Sequence, residues 1–139
     1  WKGASIHLDN VSVENSGEDG VVVNGTKRST MKNCNVSHSK DNGLYVYDGL
    51  MTIDGKDTTI HHNVTTGHGP CYGLEPYDSS SFIHLESSLT IETISKNNGG
   101  GGNHGGEGII KSVDKDGKVL EVVYDGTPDE DDYEVQDDY

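Results

Sequence analysis

The chain repeats itself at an offset of 23 residues, and this periodicity constrains its fold more than any other feature. The stretch NVSVENSGEDGVVV at residues 10–23 superimposes without a gap on NCNVSHSKDNGLYV at residues 33–46, so that Val13 aligns with Val36. A fixed period of about 20 to 50 residues is the sequence signature of solenoids and related repeat architectures. The fold is therefore expected to be a stack of similar coils.

Short runs of alternating apolar and polar residues, separated by Gly, Asn or Asp, recur in each copy. Such alternation is typical of half-buried strands, and a unit of this size cannot bury its apolar face alone. Coils stacked about 4.8 Å apart would pair each strand with its equivalent in the next coil. The sequence therefore predicts an all-β chain, a right-handed parallel β-helix of about four coils over residues 1–113. A leucine-rich repeat has a similar period, but its Leu-x-x-Leu-x-Leu pattern is missing.

Third and fourth copies follow with insertions, the longer of which covers residues 95–107. Apolar residues at equivalent positions are expected to point inward and to stack along the axis of the helix. Asn10 and Asn33 are expected to stack at a turn, where their amides can bond up and down the axis. The expected inward columns are Val13/Val36/Ile60/Ile91 and Val21/Leu44/Leu74/Ile109, and a third set of equivalent positions is Leu8/Met31/Ile53/Leu85.

Two further segments follow the predicted coils. Residues 114–124 are predicted to form a closing β-hairpin, because Asp116-Gly117 is a strong two-residue turn signal between Val-rich runs. Residues 125–139 contain eight acidic residues and no Lys or Arg. This segment is predicted to be a solvated acidic tail, with docking to a basic partner as the alternative.

The formal net charge of −14 limits the classes of partner. Both the body and the tail are acidic and would repel phosphate backbones and anionic membranes. No apolar run approaches the roughly 18 residues that cross a bilayer. Neither nucleic acid nor a membrane is therefore a predicted partner, and the two cysteines, Cys34 and Cys71, are too few for a disulfide framework.

A β-helix of about four coils is short, and both of its ends expose unpaired strand edges. We therefore expect either that the chain is a fragment or that another chain covers its ends. The second alternative predicts contacts with a second copy, or within a larger assembly, through the helix ends and the acidic tail.

The stretch YGLEPYDSS at residues 72–80 places two tyrosines and a carboxylate in one strand and turn. Because side chains alternate along a strand, Glu75 and Tyr77 are expected to face outward, beside Tyr45 and Tyr47 of the preceding coil. Exposed aromatic rings beside a carboxylate suit the flat faces and hydroxyls of sugars. Tyrosine also favours strands for reasons unrelated to binding, so both interpretations remain open.

Two stretches resemble motifs of the mannuronan (alginate) C5-epimerases, which are β-helical. Residues 72–78, Tyr-Gly-Leu-Glu-Pro-Tyr-Asp, resemble the family's Tyr-Gly-hydrophobic-Asp-Pro-His-Asp. Residues 107–113, Glu-Gly-Ile-Ile-Lys-Ser-Val, resemble its His-Gly-Ile-Ile-x-Ser-Arg, which follows one coil later. The resemblance implies abstraction of the C5 proton of a uronate and return of a proton from the opposite face.

The chain departs from these motifs at the residues that carry the chemistry. Tyr77 stands where the family has a catalytic His, and a phenol with a pKa near 10 is a poor base at neutral pH. Glu107 replaces the second His and Val113 the Arg, while His68 or His104 is left to substitute for the base. Together, the outer tyrosines and the resemblance give as catalytic candidates Tyr72, Glu75, Tyr77 and His68, and as substrate-binding candidates Tyr45, Tyr47, Asp78 and Lys111, the last as the cation.

These departures predict a noncatalytic, carbohydrate-associated module. We expect it to bind a polysaccharide or to serve as a structural segment of an extracellular or virion-surface protein. The alternative is a polysaccharide-modifying enzyme of epimerase or lyase type. Hydrolysis is less favoured, although Gly67-His68-Gly69, preceded by Asp19 and Asp41 in earlier coils, is similar to a loop of the polygalacturonases.

Two smaller patterns carry no cofactor prediction. His38 and His62 fall in one column with His61 beside them, which favours a hydrogen-bonded turn stack over a metal site because no third ligand has fixed spacing. No metal or cofactor is predicted. Asn35 and Asn63 begin Asn-x-Ser/Thr triplets and are candidate glycosylation sites if the chain is secreted.

Overall fold

The predicted parallel β-helix is confirmed. The computed structural model describes residues 4–25, 28–67 and 69–124, so His68 and the predicted acidic tail at 125–139 lie outside the described residues. Within them, strands form a six-stranded sheet in the order β1-β4-β7-β10-β12-β13, a four-stranded sheet in the order β11-β8-β5-β2 and a three-stranded sheet in the order β3-β6-β9. Each of the first three coils adds one strand to each of the three sheets.

The strands are short, as expected where a turn is needed three times per coil. Their bounds are β1 (His7–Asp9), β2 (Ser12–Glu14), β3 (Val21–Asn24), β4 (Ser29–Lys32), β5 (Asn35–Ser37), β6 (Leu44–Tyr47), β7 (Leu50–Asp54), β8 (Thr59–His61), β9 (Leu74–Pro76), β10 (Phe82–Leu85), β11 (Ser95–Lys96), β12 (Ile109–Val113) and β13 (Val119–Tyr124), and a one-turn helix, α1 (Ile91–Ile94), precedes β11.

The register of the parallel pairs confirms most of the predicted columns. Leu8 pairs with Met31, Met31 with Ile53, and Ile53 with Leu85. The last three of these side chains are fully buried. The core is therefore a set of aliphatic stacks that run along the axis, in which each coil buries the apolar side chains of the next.

Two predicted columns are wrong at their fourth position. Ser95, not Ile91, pairs with Ile60, because Ile91 lies in α1. His104, not Ile109, bridges to Leu74. The fourth coil contains a helical turn and an insertion that carry extra residues, so a fixed offset misaligns it.

The same misalignment moves Lys111 to another face of the molecule. Ile109 pairs with Phe82 in the six-stranded sheet, which places Lys111 opposite His84 and Val122 rather than beside Glu75. The expectation that Lys111 supplies a cation at the tyrosines is therefore wrong. The second epimerase-like motif meets the first only at its start, where Glu107 and Gly108 donate from their N–H groups to the carbonyls of Tyr77 and Pro76, and it continues into the six-stranded sheet from Ile109.

Several turns of the helix use left-handed backbone, and Asn and His adopt it at equivalent positions of successive coils. Asn10 and Asn33 adopt φ values of 56° and 51°, and His38 and His62 adopt 57° and 54°. Asparagine and histidine tolerate this region better than most residues do. Asn33 also accepts a hydrogen bond at Oδ1 from the backbone N–H of Asp57 in the next coil, as expected for a turn stack.

The C-terminal end of the helix is closed by polar side chains and by a hairpin of β12 and β13, whose strands are joined by residues 114–118 and not by the predicted two-residue turn. β13 pairs antiparallel with β12, after a turn in which Asp114 accepts at Oδ1 from the backbone N–H groups of Asp116 and Lys118. Glu121 of β13 accepts at Oε1 from the Ile91 N–H at 2.9 Å and from the Ser112 hydroxyl at 3.2 Å. These contacts end the apolar columns at this side.

Candidate functional site

Three tyrosines lie together on the outer face of the three-stranded sheet, and we call Tyr45, Tyr47 and Tyr77 the tyrosine platform. The ring centroid of Tyr77 lies 5.7 Å from that of Tyr45 and 5.6 Å from that of Tyr47, and the latter pair is stacked at an interplanar angle of 25°. Tyr47 and Tyr77 are 41% and 48% exposed. The sheet thus presents a broad aromatic surface to solvent.

Strand alternation and parallel register hold the platform in place. Leu44 and Leu74 pair with each other and are fully buried, so their neighbours Tyr45 and Glu75 turn to the outer side. The Tyr77 N–H donates to the Val46 carbonyl at 2.8 Å, which carries the register one residue past β9. The predicted grouping of the three tyrosines is therefore present.

Glu75 lies on the outer side beside Tyr45 but is only 6% exposed, so its expected exposure is wrong. The insertion between β11 and β12 covers it, and a Cβ atom on Gly106 would lie 3.2 Å from Glu75 Cγ. Burial raises the pKa of Glu75 to about 7, with a hydrogen bond from the Asn42 side chain acting in the opposite direction. The carboxyl can therefore both hold and release a proton near neutral pH.

Two further polar residues, Asp19 and Asn42, lie near Glu75 and form a polar cluster with it. Asp19 Oδ1 accepts from both the backbone N–H and the side-chain amide of Asn42, each at 3.0 Å. Burial raises the pKa of Asp19, while these hydrogen bonds lower it. Asn42 in turn accepts at Oδ1 from the Tyr72 N–H at 2.7 Å. Asn42 therefore connects Asp19 with the segment that leads into β9, the strand of Glu75.

Sequence reasoning missed Asn42, although a signal was present. Asp19 and Asn42 each directly precede a glycine of the repeat, Gly20 and Gly43. A Cβ atom on Gly43 would lie 2.7 Å from the carbonyl oxygen of Gly73 in the next coil. Such close stacking requires glycine, and it brings the preceding side chains of adjacent coils together.

Tyr72 does not belong to the platform. Its ring packs beneath the glycine-rich insertion, where Cβ atoms on Gly101 and Gly105 would lie 2.3 and 2.2 Å from Tyr72 Cε1. The run of glycines therefore allows the insertion backbone to lie flat against an aromatic ring. In this position Tyr72 supports the insertion that covers Glu75. The catalytic role of Tyr72 stays a prediction.

Asp78 is engaged in the turn that joins β9 to β10. Its carboxylate accepts from the hydroxyl of Ser80 at 3.1 Å and from the hydroxyl of Ser81. These contacts, the one to Ser81 first, hold the pKa of Asp78 below its usual range. Tyr77 lies at the start of this turn. By holding the turn in place, Asp78 helps to fix the backbone that positions Tyr77 in the platform.

The predicted histidine stack is present on the four-stranded side. The rings of His38 and His62 stack at 5.4 Å, and His61 contacts His62 edge-on at 4.9 Å. His61 Nε2 hydrogen-bonds Asn35 Oδ1 at 2.8 Å. Within residues 4–25, 28–67 and 69–124, no group of three or more His, Cys, Asp or Glu side chains is placed to hold a metal ion.

The two predicted glycosylation sites differ in accessibility. Asn63 is 1% exposed, and its side-chain amide bonds the Val36 carbonyl and Asn98, so its prediction as an acceptor in the folded chain is wrong. Asn35 is partly exposed and stays a prediction. The thiols of Cys34 and Cys71 are not bonded to each other.

Comparison with known proteins identifies the family. A family model described as "right handed beta helix region" matches residues 1–112. Searches of curated proteins and of solved structures found no match. Among the described residues, no helix is long and apolar enough to span a membrane. With the family model matched over most of its length and parallel strands stacked in three sheets, the chain belongs to the right-handed β-helix family.

Proposed function

We propose that this chain is a noncatalytic glycan-binding module whose tyrosine platform contacts the faces of sugar rings. The family to which it belongs suggests a carbohydrate-associated module in general terms. The observation that carries the proposal is the juxtaposition of the Tyr45, Tyr47 and Tyr77 rings on one outer face, with centroids 5.6 and 5.7 Å apart. Flat aromatic surfaces of this kind take the C–H face of a sugar, and phenol hydroxyls bond its edge.

The surroundings of the platform favour a neutral glycan over a polyanion. The chain carries a formal charge of −14 with only 10 Lys and Arg. Lys111, the cation expected beside the platform, lies on the six-stranded sheet instead. Since like charges repel and no compensating cation was found where it was expected, an uncharged polysaccharide suits this face better than a polyuronate.

A glycan array probed with the labelled chain tests the proposal. Tyr47→Ala and Tyr77→Ala are each expected to weaken binding of the glycans on the array by about fivefold, because each removes a stacking surface worth about 1 kcal/mol. Leu120→Ala is the matched control, since Leu120 is exposed to a similar degree, 46%, on a different strand. Equal loss in all three variants, or signal that survives in both tyrosine variants, would contradict the platform.

A polysaccharide-modifying enzyme is the second candidate, and one observation favours it. The pKa of Glu75 is raised to about 7, as expected for a general acid or base at neutral pH. The carboxyl lies under the insertion, so a substrate would reach it only if residues 97–108 moved. Proton exchange at sugar C5, followed by NMR and abolished by Glu75→Gln, would favour the enzyme over the binding module.

An extracellular or virion-surface location and contacts between copies belong to the same proposal. At the N-terminal end of the helix Ile6 is 39% exposed, and Leu8 and Val13 are only partly buried. This end therefore offers apolar side chains and strand edges to another chain. Light scattering at increasing protein concentration tests whether a second copy binds. The predicted role of the acidic tail concerns residues 125–139, which lie outside those described.

A further inference from the structure

β13 is the last strand of the six-stranded sheet and forms its edge at the C-terminal end of the β-helix. It spans Val119–Tyr124, six residues, and is the longest of the described strands. Within the part of the chain that the structure describes, β13 pairs with β12 alone. Alternate N–H and C=O groups of such a strand point away from the sheet and can pair with a strand of another chain.

β13 has few of the features with which proteins protect a sheet edge. Protected edges are very short, bulged, or interrupted by Pro or Lys. Three other strands at sheet ends, β1, β2 and β11, are only three, three and two residues long. β13 reads Val-Leu-Glu-Val-Val-Tyr, without Pro or Lys. Its one charged residue, Glu121, already accepts hydrogen bonds from the Ile91 N–H and the Ser112 hydroxyl.

A bulge at the start of β13 leaves the rest of the strand regular. Glu121 pairs with Ser112 and Val119 with Val113, so Leu120 has no opposite residue in β12. The four residues from Glu121 to Tyr124 keep an unbroken register with β12. Val119 and Leu120 are 39% and 46% exposed, so this end of the strand carries apolar side chains at the surface.

Charge favours a second copy of this chain, in antiparallel orientation, as the strand that adds to β13. If Glu121–Tyr124 paired antiparallel with itself, the chain beyond Tyr124 of each copy would run towards the β12–β13 turn of the other. Residues 125–139 contain eight acidic residues and no Lys or Arg, whereas that turn carries the exposed Lys115 and Lys118. Opposite charges would thus meet twice. A parallel pairing would instead place the two acidic segments side by side.

We propose that β13 is an interaction surface for a second copy of this chain, and that two copies pair antiparallel through Glu121–Tyr124. Because a two-fold axis relates the same surface on both copies, the contact closes on itself and gives a dimer. The six-stranded sheets of the two copies then form one continuous sheet. This surface lies at the opposite end of the β-helix from Ile6, so it depends neither on the contact proposed there nor on glycan binding.

Hydrogen exchange measured over a range of protein concentrations tests the surface. In the range where sedimentation detects dimer, the outward-pointing amides of Glu121–Tyr124 are expected to exchange at least fivefold more slowly than in the dilute monomer, because pairing protects them. Protection of these amides that does not change with concentration would mean that the chain's own residues cover the edge, and would overturn the proposal. A chain that stays monomeric, or protection confined to His7–Asp9, would overturn it as well.

Two matched variants locate the contact. Val119 and Ile6 are both 39% exposed and lie at opposite ends of the β-helix, so a glutamate at either position should be tolerated by the fold. Val119→Glu adds a negative charge near the acidic residues of the second copy, and we expect it to weaken the dimer at least tenfold. Ile6→Glu adds the same charge and should leave the protection of Glu121–Tyr124 unchanged. Equal effects of the two variants, or no effect of Val119→Glu, would contradict the proposal.

A second pair of variants tests the antiparallel orientation. Lys115→Gln/Lys118→Gln removes the two cations of the turn and is expected to weaken the dimer at least threefold. Lys40→Gln/Lys56→Gln changes the net charge equally at two other exposed lysines and should alter the affinity by less than twofold. Equal affinities of the two double variants would exclude the contact between the turn and the acidic residues, and with it the antiparallel pairing.

Discussion

Tyr45 and Glu75 lie opposite each other in adjacent strands, one at the edge of an aromatic surface and the other under a cover. The pKa of Tyr45 is raised to about 12 by its burial first and by the nearby Glu75 carboxylate second. The phenol therefore stays protonated at any physiological pH and can donate a hydrogen bond. The proton on Glu75 is the variable one in this pair.

Glu75→Gln is expected to stabilise the chain at neutral and alkaline pH. The folded-state pKa of about 7 exceeds the reference value of 4.5, so the folded state binds more protons between these values. The contribution of Glu75 to stability is then largest below about pH 4.5, falls as the pH rises to about 7 and is constant above. Urea unfolding should show a gain for the variant over wild type that is larger at pH 8 than at pH 4.5, by about 1 to 3 kcal/mol.

Glu107→Gln provides the control, because Glu107 lies on the same insertion and is exposed. It removes an equal charge without removing a buried carboxyl. A gain for Glu107→Gln that matches the gain for Glu75→Gln would show that net charge, and not burial, is responsible.

Gly105→Ala is expected to destabilise the chain by about 1–3 kcal/mol, because its Cβ atom would lie 2.2 Å from the Tyr72 ring and force a shift. Gly17→Ala is the control, since no atom lies within 4 Å of a Cβ atom there. Its effect should stay within about 0.5 kcal/mol of wild type. Thermal unfolding measures the stability of both variants. A Gly105→Ala variant as stable as wild type would mean that the insertion does not pack on Tyr72.

Asn63→Ala is expected to cost about 2–3 kcal/mol, because a buried amide is removed and its partners are left unpaired. Asn63 donates to the Val36 carbonyl and accepts at Oδ1 from both the N–H and the hydroxyl of Ser39. Asn24→Ala, at an exposed outward position of β3, serves for comparison in urea unfolding. Similar small losses in both variants would argue against a structural amide stack.

The histidine stack is expected to make the chain sensitive to mild acid. The pKa of His61 is lowered below 6.5 by burial first, then by His62 and His38. The unfolded state therefore binds the proton more readily, and stability is lost as the pH falls through about 6.5. His62→Asn keeps a residue that tolerates the left-handed turn and removes one neighbouring charge, so the drop in Tm between pH 7.5 and 5.0 should shrink. His7→Asn, on another sheet, should leave that drop unchanged.

The sequence predicted the fold wherever the repeat was gapless. Val13 and Val36 stack as the offset of 23 residues required, and Ile60 follows one residue later than that offset, because parallel register ties sequence spacing to position in the coil. Prediction failed at Ile91 and Ile109, where a helical turn and an insertion break that tie. These segments follow no repeat, so the sequence did not show how many residues they add to the fourth coil. The alignment could therefore not be corrected for them.

The sequence predicted the side to which Glu75 points, but not that another segment covers it. Alternation along β9 indicated correctly that Glu75 turns to the same side as Tyr45. It could not indicate that a distant segment folds over the carboxyl, since burial by the insertion depends on the fit of Gly105 to Tyr72. The exposure of Tyr77 was predicted correctly, since the insertion bonds its backbone carbonyl and leaves the side chain 48% exposed.

The most direct test of the glycan platform is a search for NOEs between bound sugar and the tyrosine rings. With the tightest neutral glycan from the array, the account predicts intermolecular NOEs from the sugar C–H protons to the ring protons of Tyr47 and Tyr77. A glycan that binds without such NOEs, or an array on which no neutral glycan binds, would contradict it.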